Sequence, residues 1–192
     1  NSFKNSIAID TEATGLQIPE RDKLSLIQIC NEKGEVFIIQ PNKLNYNAPN
    51  LVSVLENEKI LKIGHFLRFD KSALEYFLKC KIKNIFDTKI ASKIVRTYTD
   101  AHGLKNLTQE FCNKSLDKRQ GSSDWNKDIN DLSDKQLEYA ANDVIYLHKI
   151  KSELEKMLIR EKRMEVFKKC LEFLDTRVEL DQKGFKEDIF EH

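Results

Sequence analysis

The chain has 192 residues, of which 40% are hydrophobic and 33% are charged, and its formal net charge is +1. This length suits one domain with a proper core, and no apolar stretch approaches the ~20 residues that cross a membrane. The near-neutral charge argues against a protein that coats nucleic acid non-specifically. Nothing at the start resembles a secretory signal, and the cysteines lack zinc-like spacing. We therefore expect a cytoplasmic protein with free thiols.

Hydrophobic patterning predicts strands and helices that alternate after an initial group of strands. Strands are expected at 5–10, 24–30, 35–40, 60–65 and 83–86. Helices are expected at 48–57, 69–79, 88–97, 103–112, 133–161 and 164–175. The helix from Ser133 to residue 161 would be a single rod of ~40 Å. Three antiparallel strands followed by alternating helix and strand predict an α/β fold.

The first candidate motif is Asp10-Thr11-Glu12, which follows the apolar strand at residues 6–9 and precedes the turn-like Thr14-Gly15. Alternate residues of a strand point to the same side, so both carboxylates project together. Two like charges held side by side repel unless a partner such as a cation compensates them. The alternative is a pair of ordinary strand-end residues.

The second motif is Phe69-Asp70, which begins the helix expected after the strand at 60–65. A carboxylate in the first turn of a helix is favoured by the helix dipole, and this provides a purely structural alternative for Asp70. His65 and Phe66 precede it and have structural alternatives as a strand-end histidine and a core aromatic residue.

The third motif pairs Tyr139 with Asp143 on the helix that starts at Ser133. Ser133 and Gln136 form a capping-box pattern. Residues four apart share one helix face, so the tyrosine hydroxyl and the aspartate carboxylate can address the same water. Either residue could instead be an ordinary surface or core residue.

Together the three motifs resemble the DEDD superfamily of 3′-5′ exonucleases, and within it the ribonuclease D family. The position five residues before Asp143 is Glu138, so the chain departs from the histidine subgroup. Tyr139 instead fits the tyrosine subgroup. Three further segments extend the resemblance over nearly the whole chain: 85–88, 103–107 and 123–125. The ending resembles short bacterial members that consist of the catalytic domain alone.

The resemblance implies a ribonuclease H-like fold, with a mixed five-stranded sheet flanked by helices. We expect residues 1–163 to form the 3′-5′ exonuclease catalytic domain. Residues 164–192 would be a helical C-terminal extension packed on the same domain, since apolar residues recur along it. The protein would be a monomer or a homodimer.

The resemblance also implies a metal-dependent 3′-5′ exoribonuclease that degrades or trims single-stranded RNA 3′ ends, such as tRNA precursors, to nucleoside 5′-monophosphates. Two divalent ions, Mg²⁺ or Mn²⁺, would be held by four carboxylates: Asp10, Glu12, Asp70 and Asp143. Tyr139 would orient or deprotonate the attacking water. The substrate would contact Thr14, Gly15, Leu16, His65, Phe66, Phe69 and Trp125.

The activity and the roles of several single residues have alternatives. The same fold could carry a 3′-5′ exonuclease for DNA, or a non-catalytic nucleic-acid-binding module. Asp87 is expected to cap a helix rather than bind metal, and Trp125 to anchor a core or lid rather than stack on a base. A basic group of Lys114, Lys118 and Arg119 is either solvated or guides a single strand.

Overall fold

The computed structural model describes residues 3–15, 17, 21–117, 119, 121, 123–185, 187, 189 and 191. The strands are β1 (Ser6–Ala13), β2 (Leu24–Asn31), β3 (Val36–Ile39), β4 (Leu61–Gly64) and β5 (Ile85–Asp87). The α-helices are α1 (Pro49–Glu56), α2 (Leu67–Leu78), α3 (Thr88–Val95), α4 (Leu104–Cys112), α5 (Asp134–Ile145), α6 (Leu147–Arg160) and α7 (Met164–Gln182). A short 3₁₀ turn covers Ile129–Asp131. Within the described residues, no helix is both long enough and apolar enough to cross a bilayer.

The sheet has the strand order β3-β2-β1-β4-β5. β1 pairs with β2 in antiparallel fashion and with β4 in parallel fashion, and β5 runs parallel to β4. The C-terminal ends of β1, β4 and β5 therefore meet at one end of the sheet. The first motif lies in the second half of β1, and the second motif follows β4. The predicted mixed five-stranded α/β sheet is confirmed.

Alternation along β1 separates two apolar layers. Ile7 and Ile9 pack with α1, α2 and the second half of α7, whereas Ala8 packs with α3, α4 and α6. A strand buried on both faces needs apolar residues at successive positions, and residues 7–9 supply them. Asp10 and Glu12 continue the Ala8 side of this alternation.

The single helix expected over 133–161 is wrong: two helices, α5 and α6, take its place. The break is at Tyr146, whose backbone N–H turns back to the Val144 carbonyl. Helix periodicity continues across this point, so the local pattern gives no stop signal. The packing differs on the two sides, because α5 lies on β1, β2 and β3 whereas α6 packs on α3, α4 and β4. One straight rod could not cover both surfaces.

The last helix, α7, runs seven residues beyond the predicted end at 175. It packs on α2, α3 and α6. Arg68 of α2 donates two hydrogen bonds to the carboxylate of Asp181, both of 2.6 Å. The division of the chain at Arg163 remains our proposal, and residues 186, 188, 190 and 192 of the expected extension lie outside the described residues.

Candidate active site

Three carboxylates come together where β1 ends beside α5. Asp10, Glu12 and Asp143 each offer a carboxylate oxygen, and these oxygens all lie within 4.8 Å of one another. We refer to these three residues as the carboxylate cluster. Asp10 and Glu12 are partly exposed, while Asp143 is buried on α5. Three anionic groups this close repel unless a cation compensates them, and oxygen donors are the ligands that hard divalent cations select.

Asp70 is not a member of the carboxylate cluster, but it lines the same cavity. It sits in the first turn of α2, as predicted, and the hydroxyl of Thr11 donates a 2.6 Å hydrogen bond to its carboxylate. Burial raises the pKa of Asp70 to about 7, and the nearby Asp87 carboxylate acts in the same direction while the Thr11 bond opposes them. A cation bound nearby would favour its ionised form.

The corner between β4 and α2 is held by the buried carboxylate of Asp87. This side chain accepts hydrogen bonds from the backbone N–H groups of Phe66 and Leu67, at 3.3 and 2.7 Å. It also caps α3 by accepting from the N–H groups of Lys89 and Ile90, so the predicted helix-capping role of Asp87 is confirmed. Phe66 adopts a left-handed conformation with φ 64°. One carboxylate thus ties together the starts of two helices that border the cavity.

His65 is fixed by the hydroxyl of Thr88. That hydroxyl donates to the Gly64 carbonyl at 2.9 Å. The His65 Nδ1 atom lies 3.0 Å from the Thr88 hydroxyl oxygen. Because the hydroxyl proton is used on Gly64, we assign the Nδ1 proton to His65. The other ring nitrogen then carries no proton and has the character of an acceptor.

Tyr139 lies beside the carboxylate cluster, one helical turn before Asp143. Its hydroxyl is close enough to the Asp143 carboxylate for the two groups to interact. Burial raises the pKa of Tyr139 well above its ordinary value, and the charges of Asp143, Glu12 and Asp10 add to this effect. The hydroxyl therefore keeps its proton in the surroundings that these residues create.

The buried ring of Trp125 packs next to the ring of Tyr139. Its side chain is only 3% exposed and packs with Leu26, Leu132 and Ala140. The two ring centroids of Trp125 and Tyr139 are 6.1 Å apart. Trp125 borders the cavity. Its burial is typical of the core or lid anchor that the sequence suggested, since a ring that stacks on a base needs an exposed face.

A cavity of about 800 Å³ connects these groups. Among its lining residues are most of the predicted site residues: Asp10, Glu12, Thr14, Gly15, His65, Phe66, Phe69, Asp70, Trp125, Tyr139 and Asp143. Leu16, which was also expected to contact substrate, lies outside the described residues. The sequence motifs thus converge on one place, while the role of each residue stays a prediction.

The sequence missed several polar residues of the same cavity. Lys89 lines it and places its ammonium group 4.2 Å from the centroid of the Phe66 ring. Lys105 and Asn106 line it from the first turn of α4. The signal for the latter two was the predicted helix start at Gly103, since exposed N–H groups of a helix start favour anions. Lys89 had the same kind of signal, since it lies in the first turn of α3, whose start was predicted at residue 88.

The basic group predicted around residues 113–119 contributes differently. The guanidinium of Arg119 is paired with the carboxylate of Asp117, at 3.0 and 2.9 Å from its two oxygens. Neither Lys114 nor Arg119 is among the residues that line the cavity, and Lys118 lies outside the described residues. A guiding role for this group stays a prediction.

A ribonuclease H-like sheet with carboxylates gathered on its central strand and on a crossing helix defines a class of nuclease domains. The sequence profile of the 3′-5′ exonuclease family matches residues 1–159. The chain therefore belongs to the 3′-5′ exonuclease family, and its resemblance to ribonuclease D is confirmed.

Two curated relatives come from bacteria. Ribonuclease D of Haemophilus influenzae is 34% identical over 159 residues, which are 82% of this chain and 38% of that protein. DNA polymerase I of Aquifex aeolicus is 34% identical over 152 residues, which are 78% of this chain and 24% of that protein. The chain thus spans well under half the length of these relatives.

A solved structure is similar over nearly its whole length. The structure of Brucella melitensis NrnC bound to pGG is 46% identical in sequence, with a TM-score of 0.91. The superposed part includes 98% of this chain and 90% of that one. Another structure of the same protein, with bound Mg²⁺, is 45% identical with a TM-score of 0.90. These values support the fold that is described above.

Proposed function

We propose that the chain is a metal-dependent 3′-5′ exoribonuclease that releases nucleoside 5′-monophosphates from single-stranded RNA 3′ ends. The observation that carries this proposal is the carboxylate cluster, with Tyr139 in the same cavity, in a chain of the 3′-5′ exonuclease family. Loss of one carboxylate would mark a non-catalytic module. A carboxylate is present at each of the four expected positions, which weighs against that alternative.

The residues present fit divalent cations. Their donor atoms are carboxylate oxygens, which suit Mg²⁺ and Mn²⁺ better than soft metals. Asp10, Glu12 and Asp143 would hold one ion, and Asp10 with Asp70 would hold a second. When bound, such ions lower the pKa of a water molecule and neutralise charge on the phosphate and leaving group. The structure of the Brucella melitensis protein with bound Mg²⁺ supports the choice of a divalent cation.

We assign Tyr139 to orientation of the attacking water. Its raised pKa makes it a poor base, since even an unperturbed tyrosine has a pKa of about 10. The ring of Tyr139 is packed beside Trp125, so its hydroxyl oxygen could accept a hydrogen bond from a water at a constant position. Deprotonation of that water by Tyr139, the other role that the sequence left open, is not part of the proposal.

Aromatic and basic side chains at the mouth would hold the nucleotide. Phe66 is 44% exposed at the corner between β4 and α2, and an exposed ring face can stack on a base of any sequence. Lys89 next to it, and Lys105 at the start of α4, carry positive charge toward the cavity. These groups would bind base and phosphate without reading the sequence.

The choice between RNA and DNA rests on the relatives. RNA is supported by similarity to proteins named ribonuclease D, and the DNA alternative by similarity to a DNA polymerase I. Similarity to a protein bound to pGG supports a second candidate, in which the substrate is a very short oligonucleotide rather than the end of a long RNA. A contact to the ribose 2′-hydroxyl would distinguish RNA from DNA.

The proposed location is the cytoplasm, and the proposed assembly is a monomer or a homodimer. Free thiols support a reducing compartment. The chain has four of them: Cys30, Cys80, Cys112 and Cys170.

One experiment tests activity, polarity and substrate together. RNA and DNA of the same sequence, labelled at the 5′ end, and the dinucleotide pGG are incubated with the protein in Mg²⁺, Mn²⁺ or EDTA. We expect shortening of RNA from its 3′ end with either metal and none in EDTA. Cleavage of pGG with long RNA left intact would instead establish the second candidate.

The matched inactive variant is Asp10→Asn, which keeps the size of the side chain and removes its charge. We expect no turnover at saturating substrate, with a circular dichroism spectrum equal to that of the wild type. Wild-type kcat in this folded variant, or equal activity in EDTA, would overturn the proposed metal-dependent chemistry.

A further inference from the structure

Gln28 lies in the middle of β2, and its buried side-chain amide has no hydrogen-bond partner among the described residues. Its side chain is 0% exposed, and neither Nε2 nor Oε1 bonds to any described residue. Burying a polar group without a partner costs roughly 1–3 kcal/mol, so an apolar residue would serve this position better if packing were its whole purpose.

The strand register places Gln28 directly opposite Asp10. Side chains of opposed residues in an antiparallel pair lie on the same face, with Cβ atoms about 4.5–5.5 Å apart. On that face, Leu26 packs against Trp125 and Ala140, and Cys30 packs with Ala8. Gln28 therefore lies on the face of the sheet that α5 covers, opposite Asp10 of the carboxylate cluster.

We propose that Gln28 is a positioning residue for the metal site, through a hydrogen bond from its amide to the carboxylate of Asp10 in the cation-bound protein. The inference rests on the proposed function. A carboxylate that binds a cation is normally oriented by a neighbouring donor, and loss of such a donor typically weakens metal affinity about 10–100-fold. An amide provides that donor without adding charge beside three carboxylates.

The test uses Gln28→Met, which keeps the length of the side chain and removes both polar atoms. The melting temperature in EDTA should be unchanged or higher, because an unpartnered buried amide has been removed. The dissociation constant for Mn²⁺, measured by calorimetry without substrate, should rise about 10–100-fold. Excess Mn²⁺ should restore kcat, since only the occupancy of the site has changed.

Thr108→Val is the matched control. Thr108 is also 0% exposed with an unpartnered hydroxyl, but it lies on α4, away from the β1–β2 pair. The control should match the wild type in Mn²⁺ affinity while also losing a buried polar group. A Gln28→Leu variant repeats the test with a second apolar residue if the methionine variant does not fold.

The outcomes separate this inference from the proposed function. Mn²⁺ affinity equal to the wild type in either folded Gln28 variant overturns the role of Gln28 and makes it a core residue. Absence of Mn²⁺ binding by the wild type, or equal binding by the Asp10→Asn variant, overturns the metal site itself. Equal weakening in the Thr108→Val control would assign the effect to general packing and likewise overturn the role of Gln28.

Discussion

The hydroxyl of Tyr139 could either orient the attacking water or deprotonate it, and its surroundings favour the first role. Burial of this hydroxyl and the charges of Asp143, Glu12 and Asp10 raise its pKa and so oppose loss of its proton. The three carboxylates next to it are what a cation would need. Tyr139 should therefore matter for the rate of the chemical step more than for binding of metal or substrate.

We expect Tyr139→Phe to lower kcat by about 10²-fold, the scale of loss when a reacting group is no longer held in position. The ring, the carboxylates and α5 stay in place, so substrate affinity in Ca²⁺ should change little. Tyr76→Phe removes a hydroxyl outside the cavity and should leave kcat unchanged. A loss below about threefold for Tyr139→Phe would assign water activation to the metals alone, because even tenfold corresponds to only about 1.4 kcal/mol.

Lys62 shows a different consequence of burial, on the strand that leads to the site. Its ammonium group is buried and donates to the carbonyls of Asn57 and Ile60, at 2.8 and 2.7 Å. Burial lowers the pKa of Lys62 to about 8, whereas a lysine of the unfolded chain titrates near about 10.4. Between these values the unfolded chain binds more protons than the native one, so stability rises with pH.

We expect the free energy of unfolding of the wild type to gain a component between about pH 8 and pH 10 that Lys62→Met lacks. Denaturant titrations of both proteins across this range measure the difference. The exposed Lys59, replaced by Met, should keep the pH profile of the wild type. Parallel profiles for wild type and Lys62→Met would show that the native pKa is not lowered.

The corner between β4 and α2 decides where the second motif lies. Gly64 ends β4, and Phe66 and Leu67 are held by Asp87. A Cβ atom on Gly64 would lie 2.6 Å from Leu67 Cγ and 3.3 Å from the Ile9 carbonyl oxygen. Leu67 is buried and cannot move aside freely, so the start of α2 would have to shift.

Gly64→Ala should therefore destabilise the protein by about 1–3 kcal/mol, as overpacking commonly does, and should also reduce kcat. The reason for the second effect is that α2 carries Asp70 and Phe69 into the cavity. Gly103→Ala is the control for stability, because its added Cβ would meet only Asn106 Oδ1 at 3.3 Å. An unchanged melting temperature together with unchanged kcat for Gly64→Ala would contradict this account of the corner.

The final helix joins both apolar layers of the molecule. Phe167 packs with the layer of α3, α4 and α6, while Leu174 and Val178 pack with the layer of α1 and α2. Arg68, next to Phe69 on α2, is paired with Asp181. The extension is thus in contact with the helix that carries the second motif.

Truncation after Arg163 should lower the melting temperature markedly. It would expose the surfaces that Phe167, Leu174 and Val178 cover, and burial of each such side chain is worth about 1.5–3 kcal/mol. Thermal unfolding and light scattering of the full and truncated chains measure stability and assembly. Unchanged stability with unchanged size in solution would rule out packing on the domain and a homodimer contact alike.

A milder pair of variants keeps this prediction testable if the truncated chain does not fold. Val178 is 2% exposed and Val166 on the same helix is 49% exposed. Val178→Ala should cost roughly 1–3 kcal/mol, and Val166→Ala should cost little. Equal effects of the two changes would contradict docking of α7 through its Val178 face.

Local patterns in the sequence were sufficient to predict the order of strands and helices, the capping box at Ser133 and the motifs that carry the family resemblance. These features follow from periodicity and from contacts between residues close in the chain. Even the cap provided by Asp87 could be predicted, because a helix start needs an acceptor for its first N–H groups.

Contacts between residues distant in the chain set the remaining features of the molecule. Asp10 and Asp143 come together only because α5 crosses the sheet next to β1. Asp70 is not a member of that cluster and lies on α2. The break at Tyr146 arises because the two halves of the predicted helix pack on different surfaces. Lys89 lines the cavity because Asp87 fixes the start of α3 at the corner. Gln28 lies opposite Asp10 because of the register between β1 and β2. The positions of Lys89 and Gln28 relative to the site cannot be predicted from the local sequence pattern, since strand register and packing are set by the fold as a whole.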